Sequence, residues 1–170
     1  MLRKSNIDIV LEIIFKNPTT RFTIRALARK AGIAPPTALE IVRILKKEGL
    51  IKDAKVARAS QISANFESKT YIRKKRVYNL DSAYSSGLVD YLVKAYNDPK
   101  SIILFGSYSR GDDIERSDID ITVLTSLEKH HNLKQLELLL SRKINIHEVK
   151  IEKVSEEFRN SLCNNISLCP

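Results

Sequence analysis

The stretch GSYSRGDDIERSDID, residues 106–120, lies between two apolar runs, SIILF before it and ITVLT after it. The chain of 170 residues has only five glycines, and two of them, Gly106 and Gly111, fall in this stretch. Asp118 and Asp120 close it, with one residue between them. Because short apolar runs bounded by turn residues are typical of buried strands, we expect a strand, a glycine turn and a second strand here.

The second strand places its two carboxylates together. Alternate residues of a strand face the same side, so Asp118 and Asp120 are expected about 6.5–7 Å apart on one face. Carboxylates so placed can bracket a hard divalent cation such as Mg²⁺. The glycines let the backbone approach a phosphate chain, the Ser107 hydroxyl can donate hydrogen bonds to it, and Arg110 can pair with it. The pattern predicts a site for Mg²⁺ and phosphate groups.

The rest of the C-terminal half predicts alternating helices and strands. A helix is expected near residues 82–97, a helix over NLKQLELLLSRK with four leucines inward, a strand over INIHEVKI and a last helix near 153–162. The leucines taken as inward-facing are Leu133, Leu136, Leu139 and Leu140. His130 and His131 precede this leucine-rich helix and are expected in solvent.

Three apolar stripes of helical spacing mark the N-terminal half. They begin at Ile7, Ile24 and Ala38. Pro18 ends the first helix, Gly32 the second, and Gly49 follows the third. After Gly49, LIKDAKV and TYIRKKRVYNL are expected to form two strands of a ribbon because they are rich in β-branched and aromatic residues. The polar segment ARASQISANFES between them is expected to be a mobile loop.

Charge is distributed unevenly along the chain, whose net charge is +9. Residues 1–80 hold 18 Lys and Arg against 6 Asp and Glu, whereas residues 81–170 hold 11 against 14. A basic first half predicts a polyanion as its partner. No apolar run is long enough to span a membrane, and the two cysteines, Cys163 and Cys169, suit a reducing cytoplasm.

The segment TIRALARKAGIAPPTALEIVRILKKEGLI, with Ala28, Gly32, Thr37 and Gly49, resembles the helix-turn-helix of prokaryotic winged-helix regulators. In that motif the exposed start of the third helix enters the major groove of DNA, and the ribbon contacts phosphates. The residues expected to contact DNA are Pro36, Thr37 and Arg43 on the helix and Arg73, Lys74, Lys75 and Arg76 on the ribbon. Winged-helix proteins often dimerise, so a homodimer is a further expectation.

The stretch at 106–120 resembles the signature of the DNA polymerase β nucleotidyltransferase superfamily, and within it the minimal nucleotidyltransferases. Their pattern is Gly-Ser, ten residues, then Asp-x-Asp, matched by Gly106, Ser107, Arg110, Gly111, Ser117, Asp118 and Asp120. The resemblance implies that Asp118 and Asp120 are catalytic and ligate Mg²⁺ or Mn²⁺. It also implies that Gly106, Ser107, Arg110 and Ser117 bind a nucleoside triphosphate, with ATP expected, whose nucleotidyl group passes to an acceptor hydroxyl.

One family position departs from the pattern. The family has a third carboxylate on the following strand, where this chain has Asn145. An amide cannot accept a proton at useful pH. His147 could serve as the base instead, and so could Glu148 if the strand bulges, although neither is the arrangement that the family has.

Two functions therefore remain open. The chain is either a nucleotidyltransferase that modifies a macromolecular acceptor, such as an antitoxin acting on a partner toxin protein, or a DNA-binding regulator with a degenerate domain that senses nucleotide.

The predicted fold class is α+β in two domains. A winged helix-turn-helix domain is expected at residues 1–80, a linker helix at 81–98, and a nucleotidyltransferase domain with a short mixed sheet at 99–170. The expected partners are DNA, a nucleoside triphosphate and a protein acceptor, with no membrane.

Overall fold

The computed structural model describes residues 4–56, 59–150 and 166–169. The chain divides into two compact units, Met1–Lys75 and Arg76–Pro170, and the boundary between them falls inside one helix, α4 (Lys69–Ser85). The helix predicted near 153–162 and Cys163 lie outside the described residues. Within the described ranges, no helix combines the length and apolar character that crossing a membrane requires.

The N-terminal unit begins with three helices whose predicted ends are confirmed. They are α1 (Asn6–Lys16), α2 (Ile24–Ala31) and α3 (Pro35–Lys47). Gly32 ends α2 in the left-handed conformation (φ 66°), which a side chain would disfavour, and Pro35 and Pro36 occupy the first turn of α3. The buried stripes of the three helices form the core of this unit, with Val10, Leu27 and Leu45 at most 1% exposed.

The ribbon that follows is built differently from the prediction. Its strands are β1 (Ile51–Val56) and β2 (Ala59–Ala64), which pair antiparallel from Ile51 opposite Ala64 to Val56 opposite Ala59. The segment predicted as a mobile loop therefore supplies the second strand. Ile62 is buried and also pairs with Phe22, so β2 is anchored to the helical part of the unit.

The stretch TYIRKKRVYNL, predicted as a strand, belongs to helix α4. The buried side chains of α4 recur every fourth residue and are Tyr71, Lys75, Asn79 and Ala83. This is helical spacing, but two of the four buried residues are polar, so no apolar stripe was visible in the sequence. The strand prediction, and with it the placement of Arg73–Arg76 on the ribbon, is wrong.

The C-terminal unit is built around a mixed four-stranded sheet. Its elements after α4 are α5 (Leu88–Ala95), β3 (Ser101–Phe105), α6 (Gly106–Arg110), β4 (Ile119–Leu124), α7 (Lys134–Leu140), β5 (Ile144–Val149) and β6 (Ile166–Cys169). Strand β4 pairs parallel with β5 and antiparallel with β3, and β3 pairs antiparallel with β6. The predicted mixed sheet is thus confirmed, whereas β6 was not foreseen.

Apolar side chains of three central elements form the core of this unit. Leu104 on β3, Ile121 on β4 and Leu92 on α5 are fully buried. The predicted helix over 82–97 is interrupted, because α4 ends at Ser85 and Gly87 adopts a left-handed conformation before α5 begins.

Two predictions about the region before β5 need correction. Leu139 was expected inward, but it is 62% exposed, while Leu133, Leu136 and Leu140 pack against the core. His131 was expected in solvent, but its side chain is 8% exposed. Its ring nitrogens contact the hydroxyls of Tyr91 and Tyr96, and burial lowers the pKa of His131.

Candidate functional site

Asp118 and Asp120 converge on one atom. Asp118 immediately precedes β4 and Asp120 is its second residue, so both lie on the same face of the strand. The side-chain amide nitrogen of Asn145 donates hydrogen bonds to Asp118 Oδ2 at 3.2 Å and to Asp120 Oδ1 at 3.0 Å. Asn145 can reach both because it stands opposite Asp120 in the parallel β4–β5 pair. The two carboxylates therefore meet at the point where that amide lies.

At Gly106 the backbone lies close to the Asp120 carboxylate. Strand β3 ends at Phe105, which pairs with Asp120, and Gly106 follows with φ 75°. A Cβ atom at this position would lie 2.8 Å from Asp120 Oδ2, closer than a Cβ atom approaches an oxygen in real structures. Only glycine gives both the left-handed conformation and the close approach. Sheet pairing and this close contact thus bring Gly106, Asp118 and Asp120 together, and their functional roles remain predictions.

The other predicted phosphate-binding residues have different surroundings. Among the described residues, the Ser107 hydroxyl has no hydrogen-bond partner, so it is available to a ligand. Arg110 ends the five-residue helix α6, and its Nε donates to Asp112 Oδ2 at 3.1 Å on the surface. Ser117 Oγ accepts a hydrogen bond from the backbone N–H of Ile114 at 3.0 Å, so this hydroxyl holds the loop that leads into Asp118.

A buried polar network holds the loop between α6 and β4, and the sequence reading missed it. Asp113, 1% exposed, accepts hydrogen bonds from Asn79 at 2.7 Å and from Arg142 at 3.5 Å. Asn79 also donates to the carbonyl of Tyr108 at 2.8 Å, and Arg142 to the carbonyl of Glu115. Burial, with the nearby Asp113 carboxylate, raises the pKa of the Tyr108 hydroxyl. The loop that ends at Asp118 is thus held at Asp113 and Glu115, and the helix before it at Tyr108.

Neither alternative base sits in the place of a third carboxylate. His147 shares a strand face with Asn145 but is exposed, and its ring lies 5.4 Å from that of Phe105. Glu148 faces the opposite side, where it accepts hydrogen bonds from the Tyr96 hydroxyl and the Lys129 N–H. Since the β4–β5 register runs without a break, no bulge turns Glu148 toward the site, and its conditional role as a base is excluded.

The donor set fits a hard divalent cation. Two carboxylates face one point, and an asparagine side chain offers a carbonyl oxygen there if its amide group turns over. Carboxylate and amide oxygens are ligands that Mg²⁺ and Ca²⁺ accept. In the described part of the chain, no group of three or more His, Cys, Asp or Glu side chains could hold a metal, so the fit rests on two acids and one amide.

The N-terminal unit presents the helix predicted to read DNA. Pro36, Thr37 and Arg43 are all exposed on α3, as expected for residues free to contact a groove. The four basic residues assigned to the ribbon are instead on α4. Lys75 is fully buried, and Lys74 pairs with Glu48 at 3.3 Å. Arg73 and Arg76 are exposed, and contact of any of these residues with DNA stays a prediction.

Comparison with known families agrees with this architecture. Residues 88–168 match the family model described as polymerase beta, nucleotidyltransferase. The C-terminal unit is a polymerase β-type nucleotidyltransferase domain. Residues 5–52 match the winged helix-turn-helix DNA-binding family, so the N-terminal unit is a winged helix-turn-helix DNA-binding domain. No curated protein matches the chain.

Solved structures add only distant likenesses. A mutant of ZitR from Lactococcus lactis is 14% identical, with a TM-score of 0.40, over 56% of this chain and 68% of the other. A candidate nucleotidyltransferase from Sulfolobus solfataricus is 18% identical, with a TM-score of 0.31, over 56% of this chain and 84% of the other. At these scores the likenesses carry no argument about function.

The nucleotidyltransferase domain offers a matched pair of glycines that tests the close approach at Gly106. Gly106 and Gly87 have φ values of 75° and 77°, so alanine at either position costs roughly 1–2 kcal/mol of backbone strain. At Gly87 a Cβ meets nothing within 4 Å, whereas at Gly106 it displaces Asp120 from Asn145. We expect Gly106→Ala to lower the free energy of urea unfolding by about 1 kcal/mol more than Gly87→Ala does. Equal losses would show that Asp120 is not held against the turn.

The winged helix-turn-helix domain predicts a salt-dependent contact at Arg43. If Arg43 contacts a phosphate, Arg43→Ala should lower the slope of log affinity for duplex DNA against log salt concentration by about 1. Fluorescence anisotropy with a labelled duplex measures this slope. Lys100→Ala, which removes the same charge from the nucleotidyltransferase domain, should leave it unchanged. A slope that is the same in Arg43→Ala and in the wild type would remove Arg43 from the phosphate contacts.

Proposed function

We propose that the nucleotidyltransferase domain binds a nucleoside triphosphate, expected to be ATP, together with Mg²⁺ and transfers its nucleotidyl group to a macromolecular acceptor. The winged helix-turn-helix domain binds DNA in the same chain. The observation that carries the proposal is that one amide nitrogen contacts both Asp118 and Asp120 while Asp120 lies against Gly106. This arrangement offers two acidic ligands beside the turn formed by Gly106 and Ser107.

Each residue of the site has a chemical task in this proposal. Glycine at position 106 lets the turn lie against Asp120, and the Ser107 hydroxyl, which has no partner among the described residues, donates a hydrogen bond to the triphosphate. Asp118 and Asp120 hold Mg²⁺, which when bound offsets the negative charge that builds up on the phosphates. The acceptor oxygen forms a bond to the α-phosphorus, pyrophosphate leaves with the electron pair of the broken P–O bond, and the acceptor proton passes to water.

Asn145 favours a second candidate function. With an amide in place of the third carboxylate, the site has one fewer negative ligand and no group there that can take a proton. A domain that binds nucleotide without transferring it would serve as the sensor of a DNA-binding regulator. The two functions share the nucleotide site and differ in turnover alone.

ATP labelled at the α-phosphate separates the two functions. We expect Mg²⁺-dependent label on a macromolecule in extracts incubated with the protein and no label with Asp118→Ala, because the substitution removes one of the two acidic ligands. Nucleotide binding by calorimetry without any transfer of label would instead support the sensor. Absence of both binding and transfer would contradict the proposal.

Replacing the amide by a carboxylate tests the position of Asn145. In Asn145→Asp three carboxylates meet without a cation, so we expect lower thermal stability without Mg²⁺ and a larger stabilisation when Mg²⁺ is added. Mg²⁺-dependent ATP binding should tighten roughly tenfold or more. Asn132→Asp, an exposed change of the same charge, is the control. If the two variants respond alike to Mg²⁺, Asn145 does not stand at the third ligand position.

A further inference from the structure

Helix α4 has an exposed face directly opposite its buried face. The buried residues lie at positions 71, 75, 79 and 83. Successive residues of a helix are rotated by about 100°, so a second set of residues points away from the buried set. This set is Thr70, Arg73, Val77, Asp81 and Tyr84; all five are exposed, and we call them the outer stripe. Because they belong to one continuous helix, helical geometry alone fixes their spacing.

The outer stripe is symmetric about Val77. Arg73 lies four residues before Val77 and Asp81 lies four residues after it, while Thr70 and Tyr84 lie seven residues to either side. A second copy of the helix, antiparallel and related by a two-fold axis at Val77, would place its Asp81 opposite Arg73 and its Arg73 opposite Asp81. The stripe is therefore complementary in charge to a copy of itself.

The two charges of the outer stripe are available for such pairing. The side chains of Arg73 and Asp81 are exposed and have no ion-pair or hydrogen-bond partner among the described residues. They stand eight residues apart, about 12 Å along the helix axis, whereas charges on one helix pair at a spacing of three or four residues. The neighbouring Lys74, in contrast, already pairs with Glu48. Within the described part of the chain neither Arg73 nor Asp81 meets an opposite charge, and a second copy supplies one to each.

The centre of the outer stripe is apolar. Val77 is 67% exposed, and Tyr84 is 46% exposed. Single exposed apolar residues are common on protein surfaces, so Val77 alone would indicate nothing. Here, however, the valine stands at the symmetry point of a charge pattern, where it would contact its own copy across a two-fold axis. An apolar centre flanked by polar groups is the usual anatomy of a protein interface.

We propose that the outer stripe binds the outer stripe of a second copy of this chain, with the two helices antiparallel. Val77 contacts Val77 of the second copy, and an ion pair between Arg73 and Asp81 lies on either side of this contact. Five residues a side are fewer than the roughly 20–30 of a stable interface, so the dimer forms and dissociates with concentration. It carries two copies of α3, and proteins with two-fold symmetry suit DNA sites that have the same symmetry. Neither the dimer nor its test depends on nucleotidyl transfer.

Charge reversal tests the pairing. Arg73→Glu or Asp81→Arg places like charges on both sides of the Val77 contact, so we expect either substitution to raise the dimer dissociation constant about tenfold or more. The double variant Arg73→Glu/Asp81→Arg restores both ion pairs with reversed polarity and should return the constant to within about threefold of the wild-type value. Lys100→Glu, an exposed change of the same charge as Arg73→Glu, should leave it unchanged.

Sedimentation equilibrium of the full-length protein without DNA, at low salt so that the ion pairs are little screened, measures these constants. Since all the substituted side chains are exposed, every variant should fold, and thermal unfolding checks this. A wild-type protein that stays monomeric up to millimolar concentration would overturn the inference. So would a dimer that neither single reversal weakens, or a double variant that associates no better than the single ones.

Discussion

The site depends on a repulsion that one amide group relieves. Asp118 and Asp120 carry like charges on one face of β4, and like charges at short range disfavour each other. The Asn145 nitrogen donates a hydrogen bond to each of them, and the parallel pairing of β5 with β4 is what brings that nitrogen within reach. The amide nitrogen therefore lies between the two carboxylates and donates to both. The sheet, the Gly106 turn and the loop before Asp118 all serve to keep these groups in contact.

The Asn145 amide has different consequences for metal binding and for catalysis. Two carboxylates and an amide oxygen suffice to ligate a hard cation, but an amide cannot accept the proton of an attacking hydroxyl. Glu148 is excluded as the base, because the continuous register of the β4–β5 pair directs its side chain toward Tyr96 and Lys129. In the proposed transfer the acceptor proton therefore passes to water. A reaction of this kind relies on positioning both substrates, and the fixed loop before Asp118 contributes to that positioning.

The sequence predicted that Asp118 and Asp120 share one face of a strand beside the Gly106 turn, and it could do so because this signal is local. A glycine turn and a pair of acids with a period of two need only neighbouring strands, and the antiparallel pairing of β3 with β4 supplies them. Helix α4 was mistaken for a strand because its buried face includes Lys75 and Asn79, which no apolar pattern marks. The network of Asn79, Asp113 and Arg142 joins residues that are far apart in the chain. No sequence pattern around any of these residues indicates that they interact. Strand β6 was missed for a similar reason, since its pairing with β3 is also long-range.

The central claim is that Asp118 and Asp120 share one cation beside the Gly106 turn. A crystal structure of the protein with Mn²⁺ and a non-hydrolysable ATP analogue tests it most directly, because the anomalous signal of Mn²⁺ locates the ion independently of the surrounding atoms. The account predicts a Mn²⁺ peak about 2.0–2.2 Å from an oxygen of each aspartate, with the triphosphate against Gly106 and Ser107. An ion bound by only one of the two aspartates, or a triphosphate elsewhere on the domain, would contradict it.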